Sequence, residues 1–294
     1  MTRSFYLEFP LNYRHAFHAG NFADLMKHAI LLQVLSRLRS ETALTVVDTH
    51  AGAGLYNLDG EAALKSGEAA LGVKRLMADP SAPNAFAPLK EAVAAVNAGG
   101  GLSRYPGSPW LIVQALRPGD AYVGCELRPD DYGVLAREIG RATAKGGRAT
   151  ILQCDGYAQA ATQLKALQGR LLLLIDPPFE RGDDYAQVLD TLAEMRGRPG
   201  ACALVWLPIK DLETFDAFLR GLEDLRAPET AVAQVRLRPL DNPMQMNGCA
   251  LVMIGVPDVA APAQAICSWI ASHLGEPGSR GSVCDLDGAN LAKS

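Results

Sequence analysis

The run Leu171–Ile175 followed by Asp176-Pro177-Pro178-Phe179 sets five apolar residues directly before an acid, two prolines and an aromatic ring. Proline fixes its own backbone, donates no main-chain hydrogen bond and pushes the residue before it into an extended conformation. The tetrapeptide is therefore a stiff arm leaving the end of a buried strand. It holds a carboxylate, a free carbonyl and a ring in fixed relation: two hydrogen-bond acceptors beside one flat apolar face. Other acids stand at comparable places. Asp48-Thr49-His50-Ala51-Gly52-Ala53-Gly54 closes the β-branched run from Leu44, Glu126 ends Ala121–Glu126, and Asp155-Gly156 follows Ala149–Cys154. Glycines such as Gly52 let the backbone approach a ligand closely, and an acid at a neighbouring strand end can hold a ribose. Taken singly, each acid reads as a helix N-cap and the glycine loop as a tight turn. Four acids in series, the last in D-P-P-F, point instead to a ligand site at the C-terminal ends of a parallel sheet.

The elements that must carry these groups follow from periodicity. Apolar residues recur at helical spacing from Asn21 to Arg39, with Asn21 as N-cap and Asp24 in the first turn. Strands at 44–48, 121–126, 149–154, 171–175 and 201–207 are apolar on both faces, and most are separated by helix-compatible stretches at 130–145, 157–167 and 184–196. That alternation predicts an α/β fold with a parallel sheet covered on both sides. Runs at 232–237 and 249–256 flank a loop from Pro239 to Gly248 and predict an antiparallel pair closing the sheet, with a helix at 262–274 after it. The interval from 55 to about 103 shows no strand but two alanine-rich helical pieces, 68–77 and 86–97, and is too long for a connection. We read it as a helical insertion within one domain spanning 1–274, and the polar, glycine-rich residues 275–294 as a loose tail.

Composition limits the possible roles. The chain has 294 residues, 49% hydrophobic and 20% charged, with formal net charge −4, so no global basic field marks a polyanion partner. Locally, Arg3, Arg14, Lys27, Arg37 and Arg39 gather in the first forty residues, and Arg128, Arg137, Arg141, Lys145 and Arg148 form a second cluster. Six scattered cysteines without a C-x-x-C pair suit a reducing cytoplasm. No secretory leader and no eighteen-residue apolar run occurs, so neither secretion nor a membrane span is expected. His15, His18 and His28 lack the acid that would complete a recognisable ligand set, so no metal is expected.

The acidic series ending in D-P-P-F resembles the class I methyltransferases, which have a Rossmann-like sheet and use S-adenosylmethionine. Asn12-Tyr13-Arg14-His15-Ala16-Phe17-His18-Ala19-Gly20-Asn21, continuing to Lys27-His28, narrows the likeness to the RlmJ family, as do Asp48–Gly54 and Tyr105-Pro106-Gly107-Ser108-Pro109. The resemblance implies methylation of an adenine amino group in 23S ribosomal RNA, by a sheet carrying a helical insertion after its first strand. By position it implies that His28, His50, Ser108, Glu126, Asp155 and Gly156 surround the cofactor. Asp176 and the Pro177 carbonyl would accept the hydrogens of the amine, Phe179 would stack on the extruded base, and Tyr13 would contact the RNA. Glu126 suits ribose hydroxyls, and Asp155 suits the adenine amino group of the cofactor. Asp48 and Gly52 belong to the same cofactor loop. His50 takes the slot of the first glycine of other methyltransferase loops, and Phe179 stands where tyrosine is more usual.

Other functions compete for the same residues. A DNA adenine methyltransferase would use the same pocket. A nicotinamide-dependent oxidoreductase would use the glycine loop and leave D-P-P-F without a task, and a silent RNA-binding protein would not need Asp176. The RNA is expected to be protein-free or partly assembled, and a single chain is taken as the working unit.

Overall fold

The computed structural model describes residues 15–38, 42–142, 146–227, 229–240 and 246–286. Tyr13 and the segment 1–11 lie outside them. Helix α1 (Phe22–Arg37) opens on Asn21, whose side chain accepts the Asp24 amide. The first core strand is β1 (Leu44–Asp48). The insertion follows: strand β2 (Leu55–Asn57), helices α2 (Glu61–Ser66), α3 (Glu68–Leu71), α4 (Val73–Ala78) and α5 (Ala87–Val96), then strand β3 (Arg104–Pro106). Next come α6 (Ser108–Ala115), β4 (Ala121–Cys125), α7 (Pro129–Ala142), β5 (Arg148–Leu152), α8 (Gly156–Lys165), β6 (Arg170–Ile175), α9 (Asp184–Met195) and β7 (Ala201–Ile209). The chain ends with α10 (Leu212–Asp224), β8 (Thr230–Arg236), β9 (Gly248–Ile254), α11 (Ala260–Leu274) and β10 (Arg280–Asp285).

The main sheet has the order β10-β8-β9-β7-β6-β1-β4-β5. The five strands from β7 to β5 run parallel, whereas β9, β8 and β10 are antiparallel to their neighbours. From β1 the chain builds outward through β4 to β5, then returns to the other flank of β1 at β6. The point of reversal, between β1 and β6, opens a crevice at the C-terminal strand ends, where open α/β sheets bind ligands. Two apolar layers cover the sheet. α1, α6 and α11 with the insertion bury one face, and α8, α9 and α10 bury the other.

Three features differ from the sequence reading. The insertion is bounded by a two-stranded ribbon, with Tyr56 opposite Tyr105; three-residue strands are too short to show a period. Helices α6 and α10 complete the alternation in stretches that had no assigned element. Residues 280–285, expected as loose tail, pair with β8 as an edge strand. An edge strand needs little apolar sequence: Val283 alone is fully buried, and Gly281 lies so close to the Cys267 carbonyl that a Cβ would stand 2.2 Å from it.

The insertion is fixed to α11 by one aromatic contact set. Phe86 is fully buried and meets Trp269 edge-on at 5.2 Å. The Trp269 indole donates to Asp79 at 2.7 Å, and His273 stacks on the indole at 4.9 Å. Replacing Phe86 with alanine leaves a cavity at this junction, and we expect a loss of about 3 kcal/mol or more in urea-unfolding stability.

Candidate active site

Helix α1 brings three ionisable residues to one side by their i, i+3, i+4 spacing: Asp24, Lys27 and His28, each almost fully buried. Asp24 accepts from the Gly20 amide at 2.9 Å, pairs with His15 Nε2 at 3.0 Å and takes Lys27 Nζ at 3.0 Å. Burial alone would raise the Asp24 carboxyl, but His15, Lys27 and His28 outweigh it and hold the group well below the usual carboxylate range. Lys27 Nζ also reaches Asp176 Oδ2 at 2.5 Å. The ammonium thus bridges the first helix to the acid at the end of β6. His28 meets the Tyr105 hydroxyl through Nδ1 at 2.8 Å, and burial lowers its pKa to about 3, so the ring is neutral.

The loop after β1 is stitched to both flanking strands. The Thr49 amide donates to the Leu174 carbonyl and the Ala51 amide to the Cys125 carbonyl. The Thr49 hydroxyl donates to Leu174 O at 3.2 Å and lies 2.8 Å from His50 Nδ1. The hydroxyl oxygen therefore accepts from Nδ1–H, which leaves Nε2 of a neutral His50 as acceptor; burial lowers this histidine to about 4. Gly52 has φ +64°, and a Cβ there would sit 2.2 Å from the Tyr56 hydroxyl, which itself accepts the Ala53 amide at 3.0 Å. The Tyr56 ring in turn contacts His15 at 4.8 Å. Ser108 starts α6 and donates to Asp48 Oδ2 at 2.8 Å; Tyr122 adds a second donor at 3.3 Å. Burial lifts the Asp48 carboxyl to about 7.

Glu126 and Asp155 stand across the cleft from α1. Glu126 accepts the Gly52 amide at 2.9 Å and the Arg128 amide at 2.8 Å, and burial raises its pKa. Asp155 caps α8 through Oδ1 alone, taking the Tyr157 and Ala158 amides. At Gly156 an added Cβ would stand 2.0 Å from the Thr49 carbonyl, which forces glycine where α8 begins against the β1 loop. Leu127, 54% exposed, lays an apolar surface beside Glu126. These groups line one cleft of about 360 Å³, within the size range of small-molecule sites, which continues to Asp176, Pro177 and Pro178 and on to Trp206, Pro208 and Lys210.

The sequence model described as ribosomal RNA large subunit methyltransferase D, RlmJ, matches residues 41–284. The chain belongs to the RlmJ family. Its relatives include the ribosomal RNA large subunit methyltransferase J of Escherichia coli, 31% identical over 90% of this chain and 94% of that protein. The methyltransferase J of Haemophilus influenzae is 32% identical over 84% of this chain and 88% of that protein. The crystal structure of protein LPL1258 from Legionella pneumophila superposes with a TM-score of 0.83 at 25% identity, covering 91% of this chain and 98% of that one.

Within this RlmJ-family fold, His28, His50, Gly52, Ser108, Glu126, Asp155, Gly156, Asp176, Pro177 and Phe179 all line the cleft. Two expected residues do not join them. Tyr13 lies outside the described residues. Asp48 is fully buried behind the wall, where it holds Ser108 and Tyr122 rather than facing the cavity. Phe179 differs in a subtler way. Its backbone is left-handed (φ 50°), rare for a non-glycine residue. Its ring, 8% exposed, packs against Tyr185 at 4.6 Å and Trp206 at 6.0 Å. In this conformation it backs the wall, and the half-buried Trp206 offers the more open aromatic surface.

Lys27, Tyr56 and Trp206 carry roles that sequence reasoning missed. The signal for Lys27 was present: three charged or titratable residues on one face of an otherwise apolar helix. For His15 and His18, read above as an incomplete metal set, the structure supplies separate carboxylates, Asp24 at 3.0 Å and Glu68 at 2.9 Å.

Two expectations follow. Removing the ammonium in Lys27→Met strands the Asp24 carboxylate in the interior, so unfolding free energy should fall by about 3–5 kcal/mol. For Asp48, a folded pKa raised above the ordinary value near 4 gives stability that is full below that value and lost as pH rises through about 7. The unfolding free energy of the wild type from urea titrations should therefore drop relative to that of Asp48→Asn between pH 4 and 8, by at most roughly 4 kcal/mol.

Proposed function

We propose that this chain transfers a methyl group from S-adenosylmethionine to the exocyclic amino nitrogen of an adenine in 23S ribosomal RNA. The observation that carries the reading is a single cleft with two unlike ends. One end has Glu126, Asp155 and the glycine cradle at Gly52 and Gly156, suited to an adenosine. The other has the Asp176 carboxylate and the Pro177 carbonyl, anchored by Lys27. The donor set fits the cofactor: Glu126 has lone pairs for a ribose diol, Asp155 Oδ2 can accept from an adenine amino group, and Leu127 can cover a flat ring. His50 and Ser108 line the same cleft. When bound, S-adenosylmethionine supplies an electrophilic methyl group on a sulfonium.

The chain's own residues then have defined tasks. The amino lone pair of adenine is delocalised into its ring and is a weak nucleophile. Asp176 and the Pro177 carbonyl accept its two hydrogens, which favours a pyramidal nitrogen with its lone pair directed at the methyl group. Asp176 also takes the proton that the nitrogen sheds after transfer. The two prolines prevent the acceptors from relaxing away, so most of the rate enhancement comes from positioning. The target base must leave its stack to reach the arm, at a cost of a few kcal/mol in a duplex and less in irregular RNA. That favours protein-free or partly assembled RNA as the substrate. Among the described residues no helix is long and apolar enough to cross a membrane, and the reaction is taken to occur in the cytoplasm.

The test uses purified protein, labelled S-adenosylmethionine and ribosomal RNA lacking the modification, with mass spectrometry of the digested nucleosides. Label should appear on an adenine amino group, and RNA should be preferred over DNA of the same sequence. Asp176→Ala should lower the rate by about a hundredfold or more while cofactor binding and the fold persist. Label on another atom, or a fully active Asp176→Ala, would overturn the reading.

A further inference from the structure

Outside the cleft, at the same end of the sheet, one strand pairing runs against the usual pattern. Arg236 of β8 lies directly opposite Arg280 of β10. Two residues along, Gln234 donates to Ser282 at 3.1 Å, so these opposed side chains share one face. Like charges directly opposite each other destabilise an antiparallel pair. Neither arginine makes an ion pair among the described residues, and Arg236 Nε has no hydrogen-bond partner. The nearby acids are Asp216 on α10, which favours the Arg236 charge, and Glu276, 3.7 Å from Arg238. Arg280 is exposed and Arg236 half-buried.

The register places these cations relative to the cleft. Ile209, Gly248, Arg236 and Arg280 form one row across β7, β9, β8 and β10. At about 4.8 Å per strand the row spans about 14 Å. Lys210, next to Ile209, lines the mouth of the cleft. Gly248 puts no side chain between the β7 end and Arg236.

We propose that Arg236 and Arg280, continued by Lys210, form a track that docks the RNA phosphate backbone beside the target adenosine. This rests on the methyl-transfer reading above. An unfavourable cation pair is retained because a polyanion relieves it, and the guanidinium fork matches phosphate oxygens. The sheet gives up stability for binding.

The test measures binding of the full-length chain to a 23S ribosomal RNA transcript over a range of salt. It compares wild type, the double variant Arg236→Gln/Arg280→Gln, and the double variant Arg236→Lys/Arg280→Lys. The glutamine pair should weaken binding about tenfold or more and reduce the salt slope by about two. It should raise KM for RNA while leaving kcat and cofactor affinity unchanged. Its Tm should equal or exceed that of wild type, because a repulsion is removed; a merely structural role predicts a lower Tm. The lysine pair should keep most of the salt slope. A wild type that methylates ribosomal RNA and is matched by the glutamine pair in affinity and slope overturns the track alone. A wild type that neither binds nor methylates the RNA overturns both readings.

Discussion

The ammonium of Lys27, held between the carboxylates of Asp24 and Asp176, is the contact on which the site depends. The elements it ties together, α1 and the end of β6, are far apart in the chain; Lys27 and Asp176 are separated by 149 positions. Burying charges is costly unless each finds a partner; the pair with Asp24 lies within α1, and the pair with Asp176 adds to the apolar packing that seats the helix on the sheet. That pair joins the apolar face of α1 in setting the helix's rotation. It also fixes where the arm after β6 points, because Asp176 is the first residue of that arm. His15 and the Gly20 amide complete the environment of Asp24, so the turn before α1 is bound into the same cluster.

Around this anchor, the acids at the strand ends perform two tasks at once. Asp155 is a helix cap, as the plainest reading of its position predicts, yet it caps through a single oxygen. Glu126 secures the glycine loop and the start of the chain toward α7 with one oxygen each. A structural role and a place on the cleft wall are therefore not alternatives here. Both acids line the cleft while their hydrogen bonds satisfy loop amides. Asp48 shows the opposite outcome: it is sealed from the cavity and acts through the serine and tyrosine it holds.

Much of this was legible from residue order alone, for identifiable reasons. Strands buried on both faces, such as Leu171–Ile175, announce themselves by continuous apolar runs, and their ends mark the ligand crevice. The D-P-P-F arm is legible because proline acts through covalent geometry rather than through context. What escaped depends on contacts distant in sequence. Nothing near Lys27 in the chain tells that it meets Asp176. Phe179 reads as a free ring until Tyr185 and Trp206 are seen to enclose it. The edge strand at Arg280–Asp285 has the composition of a tail, since one buried valine and a glycine fitted beneath a helix carbonyl suffice to seat it. The ribbon of β2 and β3 is too short for any periodicity to reveal.

The place of β9 in the sheet has a consequence for how the chain is made. Synthesis delivers β7, then β8, and only afterwards the strand that lies between them. Until residue 254 has left the ribosome, the apolar flank of β7 has no neighbour on that side, and β8 has nothing to pair with. A nascent chain that stops short of this point presents an open, hydrophobic sheet edge, the kind that recruits other chains. The central pairing of the sheet thus waits for β9, with α11 and the edge strand β10 still to follow, and chaperone protection matters most in the interval between the emergence of β7 and of β9.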